Sequence, residues 1–256
     1  MPDFESLKWG FLVLARITAF FTQAPFFSIS GVPALLKIGL GLLVTMILFP
    51  VLPAVDNISG DLLSYSMLVI REVIVGLVLG YIGTLIFAAI RVAGEIIDIQ
   101  VGFAMATVFD TQNQSRITLI GQFMYILGIL LFLAINGHHN LLMAIAYSYE
   151  IIPVTGAVFT SACPAAIIKM FGEMFSLGVR IAAPFITVFV LSDIALGMIA
   201  RTVPQLNVFI LGFPIKAGLG LLTLVAALPV LVVIIGGILQ QMEKDILLVM
   251  KLMGSN

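Results

Sequence analysis

The sequence predicts an all-α, multi-helix, membrane-associated protein of kinked hydrophobic helices and helical hairpins. Three observations carry that reading. Apolar residues fill 61% of the 256 positions and charged residues only 10%, against roughly 25% charged in a soluble domain; the mean hydropathy is +1.22. The apolar residues gather into runs near the length, about 20 residues, that a helix needs to cross lipid. The connections are short, and no linker, low-complexity tract or charge block sets off a second, soluble domain.

The first run, Gly10–Ser30, is interrupted by Arg16 and Pro25. It follows the charged start MPDFESLKW without a small-residue cleavage site, so it reads as a retained membrane segment rather than a signal peptide. Ile38–Val55 closes on the breakers Pro50 and Pro53, and Leu62–Ile90, too long for one simple span, carries Arg71 and Glu72. Val92–Phe109 holds Glu95 and Asp98; Ile117–Ile135 has no charge; Leu141–Cys163 holds Glu150 and Pro153. Met174–Ala200 carries Arg180, Pro184 and Asp193, and Phe209–Leu239 carries Pro214, Lys216 and Pro229. DNISGD, NGHHN and RTVPQLN are the clear loops, with Gly137 expected to supply a positive φ in the second. Lys37 and the tail residues Lys244 and Lys251 vote weakly for the inner side. GLVLG at Gly76–Gly80 and GLGLL at Gly218–Leu222 read as small-residue packing faces.

The runs hold too many charges and prolines for plain lipid. A charge at the centre of a span costs about 2.5–3.5 kcal/mol on insertion scales. The charges are therefore expected to pair between helices, to line a wet pathway, or to be covered by partner subunits. Arg91 and Glu95 are four apart and share a helix face, Asp98 lies on the same face, and Glu173 and Arg180 are seven apart. Pro25, Pro153, Pro184, Pro214 and Pro229 are expected to kink or break their helices, and broken helices in a membrane need protein or water for the freed carbonyls.

Several function classes fall away. A net charge of −1 leaves no basic footprint for nucleic acid. A single cysteine, Cys163, excludes an internal disulfide and a cysteine-based zinc cluster. His138 and His139 are adjacent and face different ways on a helix, with no carboxylate or thiol at ligand spacing. There is no G-x-S-x-G, H-E-x-x-H or G-x-x-x-x-G-K-[ST], so no enzyme, no cofactor and no bound nucleotide are expected. The twelve methionines and nineteen phenylalanines read as packing residues.

One polar stretch stands apart. In GFAMATVFDTQNQSR, the apolar Phe103, Met105, Val108 and Phe109 give way to Asp110, Thr111, Gln112, Asn113, Gln114, Ser115 and Arg116. From the residues alone it is a surface turn or the working part of a conduit.

The stretches RVAGEIIDIQVGFAMATVFDTQ, LFLAINGHHNLL and APFITVFVLSDIALGMIARTVPQLNVFILGFPIKAGLGL closely resemble the FliR family of flagellar export proteins, called SctT in injectisomes. PQLNVFILGFPIK is the most specific of them. The resemblance implies a non-enzymatic, channel-forming subunit of the type III protein-export gate. It implies assembly with FliP and FliQ, association with FlhB, a FliP-like part over 1–175 and a FliQ-like part over 176–256. It also implies placement in the bacterial inner membrane and flagellar basal body, in contact with lipid and with unfolded exported chains. By the same resemblance Phe109–Arg116 is a channel plug, with Gly102, Phe103 and Met105 at its base; DTQNQ departs from the Asp-Pro of many relatives, so this loop is less rigid. Arg71, Glu72, Arg91, Glu95, Asp98, Arg180, Asp193 and Lys216 are read as interhelix or intersubunit charges. A solute or ion transporter using Arg71, Glu72, Asp98 and Asp193 is the alternative, and a scaffold without a conduit a third.

Overall fold

The computed structural model describes residues 4–28, 33–53, 61–103, 118–205 and 207–254. Within them the chain forms seven helices and no strand: α1 (Phe4–Gln23), α2 (Ala34–Leu48), α3 (Leu62–Val101), α4 (Leu119–Ala134), α5 (Gly137–Ile151), α6 (Ala162–Thr202) and α7 (Val208–Met253). Three of these, α3, α6 and α7, are long and apolar enough to cross a bilayer, and α4 and α5 pass the same test only as a pair, either as a broken span or as a re-entrant loop. The expectation of an all-helical membrane protein therefore holds.

Local chemistry sets most boundaries. α1 stops before Pro25, and α2 stops at Leu48, with Phe49 still at helical angles (φ −48°, ψ −47°) and its N–H on the Thr45 carbonyl; Pro50 follows without an N–H to carry the ladder on. α3 ends at Gly102, whose φ of +93° suits a residue without a Cβ. Asn136 holds the left-handed turn before α5 at φ +58°, so the asparagine of NGHHN takes the role expected of Gly137. Ahead of α7, Asn207 Oδ1 accepts from the Ile210 N–H at 3.4 Å, a side-chain N-cap.

The observed helices differ from the apolar runs in four places. The third and fourth runs are one 40-residue helix, because Arg91 is a charge and not a backbone breaker. The sixth run ends at Ile151, ahead of Pro153, and Cys163 belongs to the next helix. α6 starts twelve residues before Met174, with Pro164 in its first turn, where a missing N–H costs nothing. α7 runs through the tail to Met253 because Met242, Ile246, Val249, Met250 and Met253 are buried at helical spacing. Pro25 and Pro153 terminate helices as expected, whereas Pro184, Pro214 and Pro229 lie inside continuous ones.

The residues divide into two compact units. The first comprises 1–86, 135–171 and 239–256. Its buried core includes Leu12, Val13, Ile17, Phe20 and Phe21 of α1 together with Val75, Leu79, Ile145 and Met242. Gly76 and Gly80 bring α3 close to α1: a Cβ would stand 2.2 Å from the Arg16 carbonyl oxygen at Gly76 and 2.7 Å from that of Phe20 at Gly80. GLVLG is thus a packing face. α2 buries only Gly41 and Thr45 and exposes Leu35, Leu36, Leu43, Met46 and Ile47. At 15 residues, about 22 Å, it is shorter than the hydrocarbon core.

The second unit comprises 87–134 and 172–238. Ile90, Ala93, Ile97, Met124, Phe132, Phe185, Phe189 and Ile235 form its centre. A Cβ on Gly94 would lie 2.3 Å from Gly121 Cα, so α3 and α4 meet backbone to backbone. Of GLGLL, Gly220 packs on Val101 and Phe189, while Gly218 faces open space.

Helices of 40, 41 and 46 residues are about 60–70 Å long, twice the roughly 30 Å of bilayer hydrocarbon. Something other than lipid must cover the excess.

Candidate functional site

The largest fully buried side chain is a charged one. Arg16, on α1, is fully shielded from solvent, and so is Glu72 on α3. Arg16 Nε donates to Glu72 Oε2 at 2.6 Å. Nη1 donates to the Ile152 carbonyl at 2.9 Å and, at 3.3 Å, to the Ser148 carbonyl and hydroxyl. The guanidinium lies 4.2 Å from the centre of the Tyr149 ring, and Tyr149 donates its own hydroxyl to the Val13 carbonyl at 3.0 Å. Glu72 Oε1 accepts the backbone N–H of Thr155 at 2.9 Å, where Thr155 sits at φ +71°.

This arrangement completes a helix end. α5 stops at Ile151, where backbone donors run short: Ser148 O still accepts the Ile152 N–H at 2.8 Å, Arg16 adds a donor to it and to the C-cap carbonyl of Ile152, and a cation there also suits the negative end of the helix dipole. Arg16 supplies both. Glu72 neutralises Arg16 and holds the turn that Pro153 forces.

Asp98 performs the matching task at the start of α4. Its two carboxylate oxygens accept the N–H groups of Ile120 and Gly121 at 3.0 and 3.1 Å, two of the orphan donors of the first turn. The start of α4 and the end of α5 are thereby each capped by a charge of the favoured sign, borrowed from a distant helix. Asp98→Ala is expected to cost about 1–3 kcal/mol, the range for stranding buried donors. Thermal unfolding in detergent reads it directly, and a variant that melts with the parent chain would remove the capping role.

The other charges are placed differently. Lys216 Nζ meets Asp193 Oδ1 at 2.6 Å, linking α7 to α6 with the Asp193 side chain 52% exposed. Arg91 is exposed, its guanidinium 4.6 Å from the Tyr125 ring rather than against Glu95, which is half-buried. Arg71 and Arg180 are exposed without an ion pair among the described residues; the Glu173–Arg180 spacing does not produce a bridge. Gly102 and Phe103 both lie against Phe213, the two rings edge to face at 6.2 Å. Met105 and the loop Phe109–Arg116 lie outside the described residues.

Arg16 is the residue that sequence reasoning undervalued. It registers as a charge in an apolar run, but its acceptors at Ser148 and Ile152 are 132 and 136 positions away and leave no spacing signal. The usable clue was one lone cation and one lone anion in two apolar segments.

These features define a class: a multi-helix membrane protein in which buried charges finish helix ends. The family model of bacterial export proteins, family 1, matches residues 8–242. The chain is 39% identical to flagellar biosynthetic protein FliR of Bacillus subtilis strain 168, over 88% of this chain and 87% of that one. It is 36% identical to FliR of Pectobacterium carotovorum subsp. carotovorum, over 87% and 84%. With FliR of Escherichia coli K12 the identity is 32%, over 88% and 86%. The chain belongs to the FliR family of bacterial export proteins, a family of membrane components of the flagellar export apparatus.

Proposed function

We propose that this chain is a channel-forming subunit of the flagellar type III export gate, without enzymatic activity. It assembles with FliP- and FliQ-type subunits in the inner membrane at the flagellar basal body, and an FlhB-type protein associates with the assembly. Unfolded flagellar proteins pass through the channel. A FliP-like N-terminal part, 1–175, and a FliQ-like C-terminal part, 176–256, provide its two kinds of contact. The observation that carries this reading is the mismatch between helix length and bilayer: α3, α6 and α7 are twice as long as hydrocarbon is thick, and α6 and α7 expose much of their apolar surface. Neighbouring subunits are the cover that the family relationship offers.

Phe109–Arg116 acts as the plug, rooted on Gly102, Phe103 and Met105. A polar loop on apolar roots fills a lumen against ions and yields to an unfolded chain. Replacing Phe109–Arg116 by a short Gly-Ser turn is expected to leave export of flagellin intact while cells leak small ions. Unchanged permeability in a complex proved to be assembled would remove the plug. The transporter alternative loses support from the geometry, since Glu72 and Asp98 are spent on caps. A chain that purifies alone and moves a solute unaided would restore it.

A further inference from the structure

The cap on α4 is not the one its own sequence offers. Thr118 stands directly before Leu119, at the N-cap position, where a hydroxyl commonly takes the N–H of the second or third helical residue. Those residues are Ile120 and Gly121, and both N–H groups go instead to Asp98 of α3, 22 and 23 positions away. Taking a carboxylate out of water costs far more than taking a hydroxyl out, and Asp98 is only 3% exposed. A local cap would finish the helix at lower cost. What Asp98 adds is a tie. Two hydrogen bonds to one planar group fix both the distance and the direction of the first turn of α4 against the last turn of α3.

The tie lies at the base of the segment 104–117. The chain leaves α3 at Val101, one turn after Asp98, and enters α4 at Leu119, directly before the two donors. Gly94 and Gly121 bring the same two helices into backbone contact beside it. The outgoing end is held a second time. Phe213 of α7 lies against Gly102, whose φ of +93° turns the chain, and its ring packs edge to face on Phe103. Phe213 is itself 48% exposed, so its ring contributes little to the core of the second unit. Three helices thus hold the two ends of one loop.

We infer that Asp98 and Phe213 are positioning residues for the channel-closing loop: Asp98 joins its two ends, and Phe213 braces the first of them. This rests on the proposed plug role of Phe109–Arg116. A loop that moves aside for an exported chain and then returns needs ends that stay in place. With the base tied, the loop yields to the chain while its ends do not spread and open a path for ions.

The test measures small-ion leak in cells, per gate recovered with the FliP- and FliQ-type subunits. Asp98→Ala should raise that leak at least about fivefold, the factor that a loss of ~1 kcal/mol brings. In a chain whose Phe109–Arg116 is already replaced by a Gly-Ser turn, the same substitution should add nothing, because Asp98 acts through the loop. A merely structural role would lower the number of gates recovered without changing the leak of those that form. Parent-like leak in assembled Asp98→Ala gates, beside a loop replacement that leaks, overturns the inference. An Asp98→Ala leak that adds to that of the loop replacement overturns it too, since Asp98 then acts on the channel wall. If Asp98→Ala does not assemble, Phe213→Leu decides. It removes the ring from Phe103 at a half-exposed position and should leak as Asp98→Ala is expected to; parent-like leak there overturns the inference. If the loop replacement itself does not leak, the plug reading fails and this inference with it.

Discussion

Glu72→Gln is expected to lose about 3–5 kcal/mol of stability, the range for breaking a buried ion pair by removing one partner. The substitution keeps the shape of the side chain, and its amide oxygen can still accept from Thr155. What it removes is the negative charge that neutralises Arg16. The guanidinium is fully buried and cannot turn to water. A loss of this size is comparable to the whole margin of many domains, so the variant should accumulate poorly in membranes and melt far below the parent. Arg16→Met combined with Glu72→Leu separates charge from capping. Removing both charges restores electrostatic balance but leaves the carbonyls of Ser148 and of the C-cap residue Ile152 without Arg16, so recovery should be partial. Full recovery would show that the pair matters as charge alone, and no loss in Glu72→Gln would show that Arg16 is not held as described.

Gly94→Ala is expected to be the most damaging exchange of a hydrogen for a methyl group in the second unit. The new carbon would lie 2.3 Å from Gly121 Cα and 2.6 Å from its nitrogen, and backbone cannot rotate aside as a side chain can. Overpacking costs typically about 1–3 kcal/mol. Here the displaced element is the first turn of α4, which Asp98 caps from one turn further along α3, so the clash and the loss of the cap add. Gly172→Ala supplies the control. Its Cβ meets nothing within 4 Å, and alanine favours helix over glycine by roughly 0.5–1 kcal/mol. Melting temperatures of the two variants should move in opposite directions; equal behaviour would mean that α3 and α4 do not meet at these glycines.

The parts of this architecture legible in the sequence were those with local causes. Proline fixed the ends of α1, α2 and α5, and the run of apolar residues marked α4 and most of α7. Helix continuity through Arg91 was not legible, because a charge interrupts hydropathy without interrupting backbone hydrogen bonding. The first turns of α6 were hidden by Lys169 and Glu173 for the same reason. GLVLG could be read as a packing face, but what it packs on, the Arg16 and Phe20 carbonyls, is a long-range fact. The charges divide along the same line. Asp98 was singled out by its presence in an apolar run, yet its partners are backbone N–H groups, which no residue pattern announces. Lys216 and Asp193 could be named but not matched, since 23 positions and a turn separate them.

The reach of Arg16 has a consequence for synthesis. Its acceptors at Ser148 lie 132 residues downstream. At roughly 5–20 residues per second the ribosome needs about 7–26 s to make them after Arg16 has been joined to the chain. Throughout that time α1 carries a cation that α5 cannot yet receive. Its counter-charge comes far sooner, since Glu72 lies only 56 residues downstream, so the ion pair can form before the helix end that it completes has been made.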